Sequence, residues 1–272
     1  MSRYYLPKRD FPDPEQFINE MIRNRALNNI KLWLDKYCLF NENKNRFDLE
    51  GQIKLLRNNA LAIPSSITNL QDYNNYLQRI NSLYESLRMQ GYHCQSYEGK
   101  VNWRLVVGLG QESVYETSIT LHRNYSIPFI PGSAVKGVAY HYAKERKNLP
   151  AGEITEIFGD QNKKGKVIFF DALPIIEQDA NFIVLDVMNV HYKPYYEASE
   201  GELKEREKAP GDWHSPVPIF FLAVEKGIKF RFALASKDEK LTEKAMELLK
   251  EAINKIGIGA KTSAGYGYFE VK

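Results

Sequence analysis

Gly257-Ile258-Gly259-Ala260-Lys261-Thr262-Ser263-Ala264-Gly265-Tyr266-Gly267 lies between a helical pattern and a strand-like run, Tyr268 to Val271. The order is helix, glycine loop, strand. Four glycines let the backbone reach conformations, and approach a partner, that a side chain forbids. Successive free N–H groups in such a loop form an anion-binding concavity. Lys261, Thr262 and Ser263 add a cation and two hydroxyls, so the expected anion is phosphate. The plainer alternative is a turn that joins a helix to an edge strand. Two familiar phosphate loops do not fit. A Walker A loop needs G-x-x-x-x-G-K-[ST] between strand and helix; here Ala260, not glycine, directly precedes Lys261 and the order of elements is reversed. A dinucleotide fingerprint needs a third glycine, where this chain has Thr262, or Ser113 after Gly108-Leu109-Gly110.

Working outward, Ser236 and Glu239 read as a capping box opening a helix over 239–256, with Leu241, Ala245, Leu248, Leu249, Ala252 and Ile256 inward. Pro218–Val224 and Ile228–Ala235 flank Glu225-Lys226-Gly227 and read as a hairpin. Further upstream, Trp103–Val107, Glu116–Leu121, Val167–Phe170 and Phe182–Val187 read as strands. Pro131-Gly132-Ser133 reads as a turn into a helix over 134–147, with Ser133 as N-cap. With the middle excursions set aside, the order is strand, helix, strand, strand, helix, strand. That is an α+β, ferredoxin-like (RRM-like) βαββαβ core with inserted loops and a hairpin. RNA-recognition motifs use aromatics on their strands. Val167-Ile168-Phe169-Phe170 shows no such pattern, so loops and helix ends are the expected surface.

The first third differs. Helical patterns run over 15–40 and 49–61. A third helix carries Leu70, Tyr73, Leu77, Ile80, Tyr84 and Leu87 at alternating spacings of three and four, one apolar seam. Thr68 or Asn69 caps its start and Gly91 ends it. The expected organisation is a helical N-terminal appendage over 1–97 and a main domain over 98–272, with 172–225 as an insertion or projection. The seam is expected to pack within the chain rather than on another subunit.

The chain has 272 residues, 43% hydrophobic, and a net charge of +3. Bulk charge is too small for a polycation, so any nucleic-acid contact must come from local arrangement. Aromatics make up 12%, including seventeen tyrosines; tyrosine offers a stacking face and a polar tip. Two cysteines, Cys38 and Cys94, form no C-x-x-C pair, so neither zinc nor a disulfide framework follows. No apolar run reaches membrane-spanning length, and the N-terminus lacks a signal-peptide core. The expectation is a cytoplasmic protein without cofactor or metal.

Three segments carry candidate binding chemistry. One is the glycine loop: Gly257, Gly259, Lys261, Thr262, Ser263, Gly265 and Gly267. A second is the helix start at Gly132, Ser133 and Lys136, where unpaired amides and the helix dipole attract phosphate. The third is a projection carrying His191, Tyr192, Lys193, Trp213 and His214, aromatics and cations suited to wedging against bases. The charge run Lys204–Lys208 reads as a solvated tip. The five histidines, His93, His122, His141, His191 and His214, show no metal-ligand spacing. His122 with Arg123, or His191 with His214, could do acid–base work. Asp186 and Asp212 stand without the carboxylate cluster a metal needs.

These residues resemble a family. Gly257-x-Gly259-x-x-x-x-x-Gly265-x-Gly267 is similar to the C-terminal glycine signature of the RAMP proteins of CRISPR systems. Ile130-Pro131-Gly132-Ser133-Ala134-Val135-Lys136-Gly137 resembles their IPGSSLKG element. Ile157-Phe158-Gly159, Gly165-Lys166-Val167 and Asp171-Ala172 resemble their "FG…G…DA" element. Asp186-Val187-Met188, His191-Tyr192, Tyr195-Tyr196 and Ser215-Pro216-Val217-Pro218 look most like the sixth-subunit branch of the type III-B Cmr complexes. The resemblance implies a non-catalytic RNA-binding subunit that holds guide RNA toward its 3′ end and caps a filament of backbone subunits in antiviral defence. It further implies contact with the backbone RAMP, the small helical subunit, the first Cmr subunit and target RNA. No catalytic residue carries over. The competing expectation is an endoribonuclease of the same superfamily that processes guide RNA with a histidine and no metal.

Overall fold

The computed structural model describes residues 2–4, 16, 30–36, 38–41, 43, 46–58, 70–176, 182–199, 201 and 207–270. In chain order its elements are β1 (Ser2–Tyr4), α1 (Ile30–Lys36), β2 (Leu39–Asn41), β3 (Arg46–Phe47), α2 (Leu49–Asn58) and α3 (Leu70–Met89). Next come β4 (His93–Val101), α4 (Gly132–Glu145), α5 (Ala151–Phe158), β5 (Ile168–Phe169), β6 (Leu173–Ile175) and β7 (Ile183–Val190). Last are α6 (Lys193–Glu197), β8 (Val217–Val224), β9 (Lys229–Ser236), α7 (Glu239–Lys255), a 3-10 turn (Thr262–Ala264) and β10 (Phe269–Glu270).

The main sheet has the order β10-β4-β9-β5, with β6 also on β9, and every pairing is antiparallel. Phe230, Phe232 and Leu234 alternate along β9 into the core, as period-two strands require. They meet Val135 and Ala139 of α4 and Ala245, Leu249 and Ile253 of α7. Gly99 of β4 leaves room for Phe269: a Cβ there would lie 3.0 Å from that ring. Phe269 packs edge-on against Phe230 and Phe232, 6.1 and 5.3 Å between centroids.

Strand pairing departs from the sequence expectation in three places. The first core strand is β4 at 93–101; residues 103–107 are irregular, with a lone bridge from Leu105 to Val224. Polar residues Gln95, Ser96 and Glu98 hide the alternation of β4, whereas Leu105, Val106 and Val107 read as strand because they are apolar and buried. Residues 116–121 form no strand, although Thr117, Ile119 and Leu121 are buried. The expected hairpin of 218–224 with 228–235 does not form. β8 pairs with β7 along its whole length, and β9 pairs with β4. Gly227, at φ +83°, turns the chain from one sheet to the other, and its amide donates to Val101 O.

Both predicted caps are displaced. Ser133 sits exposed inside α4, and Pro131 takes the N-cap position without a side-chain bond. The Gly132 amide donates to Asp171 Oδ1 at 2.7 Å. At α7 the cap is Asp238, whose carboxylate accepts from the Leu241 amide at 3.2 Å; Ser236 is buried and accepts from the Asp238 amide.

The N-terminal region is not all-helical. β1, β2 and β3 form a small antiparallel sheet, so the helix expected over 15–40 ends at Lys36. Its part over 17–29, the caps Thr68 and Asn69, and Lys204–Arg206 lie outside the described residues. α3 forms as expected, and Gly91 follows it at φ +81°. Its seam packs within the chain: the Tyr73 hydroxyl donates to Pro174 O at 2.6 Å, and Tyr84 meets Phe170 edge-on at 5.1 Å. Ile30, Trp33, Ile53 and Tyr73 share a second core with Ile127, Phe182 and Leu222. N-terminal and main regions are thus packed together.

Candidate functional site

The glycine loop is a folded, internally bonded turn. Gly257, Gly259, Gly265 and Gly267 all take positive φ, between +73° and +95°, and so does Lys261 at +61°. Close approach makes two of these glycines obligatory. A Cβ at Gly267 would lie 1.9 Å from Ile258 O, and one at Gly259 would lie 2.3 Å from Val106 O. The Ile258 amide donates to Gly267 O, Ala260 to Val106 O, and Gly267 to Arg104 O. The amides of Gly257, Ala264, Gly265 and Tyr266 are also engaged by backbone carbonyls. Those of Gly259, Lys261, Thr262 and Ser263 have no acceptor among the described residues. The anion cradle expected over the whole loop therefore narrows to this short arc.

The loop faces α4 across an open groove of about 600 Å³. Gly137, Val138 and His141 line the helix side, Gly257, Gly259, Thr262 and Ser263 the loop side, and Arg146 and Lys255 add two cations. No Asp or Glu is among the lining residues. The helix and loop motifs are thus brought together, but through residues that sequence reasoning passed over: His141, Arg146 and Lys255. His141 lies four residues after Gly137, one helical turn along the same face, and that spacing was the available signal. Lys136 is exposed on α4 and does not line the groove. Lys261 places its ammonium 5.6 Å from the Phe221 ring centroid instead.

Asp171 also changes the expected role of the α4 start. Its carboxylate occupies the Gly132 amide that was expected to meet a phosphate. Gly132 itself is packed so closely on β5 that a Cβ would lie 2.4 Å from Phe169 O. Ile130 and Ala172 exchange two backbone hydrogen bonds, 3.0 and 2.8 Å. The IPGS-type and DA elements are therefore one clasp that fixes where α4 begins.

Outside the groove lining, apart from Lys255, lie the residues that lock α4 to α7. The Tyr142 hydroxyl donates to Glu251 Oε2 at 2.5 Å, and Lys147 and Lys255 both reach the same carboxylate. The hydrogen bond from Tyr142, then that from Lys147, hold the Glu251 carboxyl down to about 2.

Behind the loop, Arg104 Nη1 and the Tyr266 hydroxyl converge on Asp186 Oδ2 at 2.5 and 2.7 Å. Burial alone would raise the Asp186 carboxyl, but bonds from Tyr266, Arg104 and the Val187 amide outweigh it and hold it below the usual range. Burial, reinforced by that carboxylate, pushes the Tyr266 phenol up to about 12. Asp186 is thus occupied within the protein. Among the described residues no group of three or more His, Cys, Asp or Glu side chains is arranged to hold a metal.

The projection is the β7–β8 ribbon. At its far end Tyr192 meets His191 and His214 at 6.3 and 6.4 Å, and Trp213 meets His214 at 5.7 Å. The His214 ring bonds Ala209 O at 2.8 Å. Lys193 pairs with Glu197 at 3.5 Å. The five predicted residues are gathered there, and none of them lines the groove. His122 lies among Tyr76, Tyr125 and Phe129, and burial lowers its pKa. No helix among the described residues is long and apolar enough to cross a membrane.

Topology, glycine loop and clasp together define a RAMP protein. The RAMP superfamily model matches residues 104–270, and the chain belongs to that superfamily. It is 38% identical over 252 aligned positions to the CRISPR system Cmr subunit Cmr6 of Pyrococcus furiosus, covering 72% of this chain and 70% of that protein. Identity to the Cmr6 subunit of Saccharolobus solfataricus is 25% over 251 positions, covering 90% and 81%. A chain in the structure of the type III-B Cmr-beta complex bound to cognate target RNA superposes with a TM-score of 0.64. It covers 85% of this chain and 75% of that one at 24% identity, a likeness of fold.

Proposed function

We propose that this protein is an RNA-binding structural subunit of a type III-B Cmr effector complex, acting in antiviral defence in the cytoplasm. It grips guide RNA near its 3′ end and caps the filament of backbone subunits. The observation that carries the RNA reading is the groove between α4 and the glycine loop. Two cations, two hydroxyls and an arc of unengaged amides face it, with no lining carboxylate. Such a surface suits a phosphodiester backbone, because backbone contacts bind without reading sequence. The ribbon tip, with Tyr192, Trp213 and His214, is suited to RNA or to a neighbouring subunit. The backbone RAMP, the small helical subunit and the first Cmr subunit are the expected neighbours, with target RNA alongside.

The strand order β10-β4-β9-β5, with α4 and α7 on one face, supports a ferredoxin-like core beginning at β4. The N-terminal region and the β7–β8 ribbon are additions to it.

Salt dependence tests the site. Each phosphate neutralised steepens the log–log slope by roughly 0.7 for a single strand. Arg146→Ala and Lys255→Ala should each flatten the slope for single-stranded RNA by about that amount. Lys136→Ala and Lys261→Ala report whether those two lysines also reach the strand. Unchanged slope and affinity in all four variants would refute the assignment.

The subunit is non-catalytic in this reading. His141 is the imidazole on the groove wall that a metal-free nuclease would use. Incubation of repeat RNA with the purified protein should leave it intact. Site-specific cuts with cyclic phosphate ends, lost in His141→Ala, would establish the enzyme instead.

A further inference from the structure

Trp103 stands outside the groove and ribbon tip, in the turn that leaves β4. Its indole is 47% exposed, unusual for a side chain of that size. The neighbouring backbone is tied to the exit of the glycine loop on both sides. The Asn102 amide donates to Tyr268 O at 2.9 Å, and the Gly267 amide to Arg104 O at 2.7 Å. The ring is therefore held on a fixed support. Arg104 and Lys226 approach it, 5.0 and 5.9 Å from the ring centroid.

Next to it lies a cluster of lysines. Lys100 of β4 and Lys229 of β9 are register partners, and both are exposed. Like charges directly opposite on a sheet repel. Lys226 is close by in the same turn, since the Lys100 side chain lies 3.6 Å from where a Gly227 Cβ would stand. Asp186 answers Arg104. Glu225, which accepts from the Lys226 amide, and Glu270, the register partner of Lys100 on β10, offset two of the three lysines and leave the patch net positive.

We propose that Trp103 is a stacking platform for an unpaired base of single-stranded RNA, with Lys100, Lys226 and Lys229 neutralising the flanking phosphates. An exposed aromatic among cations is the pairing that single-strand binders use, because every base offers a π-face and every linkage a charge. An acidic peptide of a partner protein would be drawn by the lysines but gains less from an exposed indole. The proposal rests on the RNA-binding reading, and it extends the path of the strand from the groove past the loop exit.

Fluorescence tests it directly on the full chain. The chain has three tryptophans; Trp33 is buried, and Trp213→Phe removes the other exposed one. In that background, a short oligouridylate should quench Trp103 on binding, and an abasic oligomer of equal length should not. Trp103→Ala should weaken oligouridylate binding about ten- to a hundredfold, the loss of one stacked base. It should leave abasic binding unchanged, and Trp103→Phe should retain most of the affinity. If oligouridylate binds with normal affinity to Trp103→Ala and without quenching, the platform is overturned while the RNA reading stands. If Trp103→Ala loses a co-purifying protein but not RNA affinity, the patch is a protein interface and the proposal fails. If the unaltered chain binds neither oligomer, the RNA reading itself falls.

Discussion

Arg104 and Asp186 form an ion pair of 2.5 Å that joins the segment leaving β4 to the β7–β8 ribbon, and Tyr266 of the glycine loop donates to the same oxygen. Three stretches far apart in sequence meet at one carboxylate. Both partners of the pair are less than one quarter exposed, at 23% and 13%, so solvent screens it only partly. Removing one partner leaves the other charge uncompensated, which costs about 2–4 kcal/mol in such a setting. Asp186→Ala should lose that much stability in urea denaturation. A loss below about 0.5 kcal/mol would show that the network does not hold the loop.

Gly265 and Gly267 make a graded test of the loop. Both have positive φ, but nothing lies within 4 Å of a Cβ at Gly265, whereas Ile258 O would be 1.9 Å from one at Gly267. Gly265→Ala should cost roughly 1 kcal/mol, from backbone strain alone. Gly267→Ala should cost clearly more and reduce folded yield. Equal thermal midpoints for the two variants would contradict the close approach described here.

Asp171 caps α4 from a different part of the chain. Loss of an N-cap acceptor costs about 1 kcal/mol. Asp171→Ala should show it, and Asp171→Asn, which keeps an acceptor, should recover most of it. Ser133→Ala should be close to neutral. The reverse ranking in denaturation would restore Ser133 as the cap.

Glu251 makes the α4–α7 contact pH-sensitive. Its carboxyl sits at about 2 in the folded chain, against roughly 4.3 when unperturbed. A depressed folded pKa stabilises above the unfolded value, and that contribution fades as pH falls from about 4.5 toward 2. Lys147 and Lys255 are 39% and 54% exposed, so water screens part of the effect. Glu251→Gln should flatten the stability profile across this acid window and change little of its shape above pH 6. A profile identical to that of the unaltered protein below pH 4 would remove Glu251 from the account.

Much of the local structure was legible because its causes are local. The apolar seam predicts α3 within a residue or two, and the pattern of 239–256 predicts α7, since a period of 3.6 is visible without knowing the partner. Gly257, Gly259, Gly265 and Gly267 mark positive φ because other residues are strained there. Pairing was less legible. The turn signal Glu225-Lys226-Gly227 is real, but it joins two different sheets, and no local rule says which strand a neighbour will choose. Asp171 and Asp238 replace Ser133 and Ser236 as caps because a carboxylate in reach competes with the hydroxyl nearest in sequence. His141, Arg146 and Lys255 enter the groove only through the packing of α4 against the glycine loop.

By itself, the sequence determined the long helices α3 and α7, the glycine conformations and the superfamily, because each depends on residues within a few turns or one motif. Tertiary structure decided which strands are neighbours, which carboxylates cap and pair, and which cations face the groove. Those outcomes depend on long-range contacts whose energies compare alternatives across the whole chain. The glycine loop illustrates both. Its residues announce a tight turn, and only its seating against Val106, Arg104 and α4 decides which of its amides find an acceptor among the described residues.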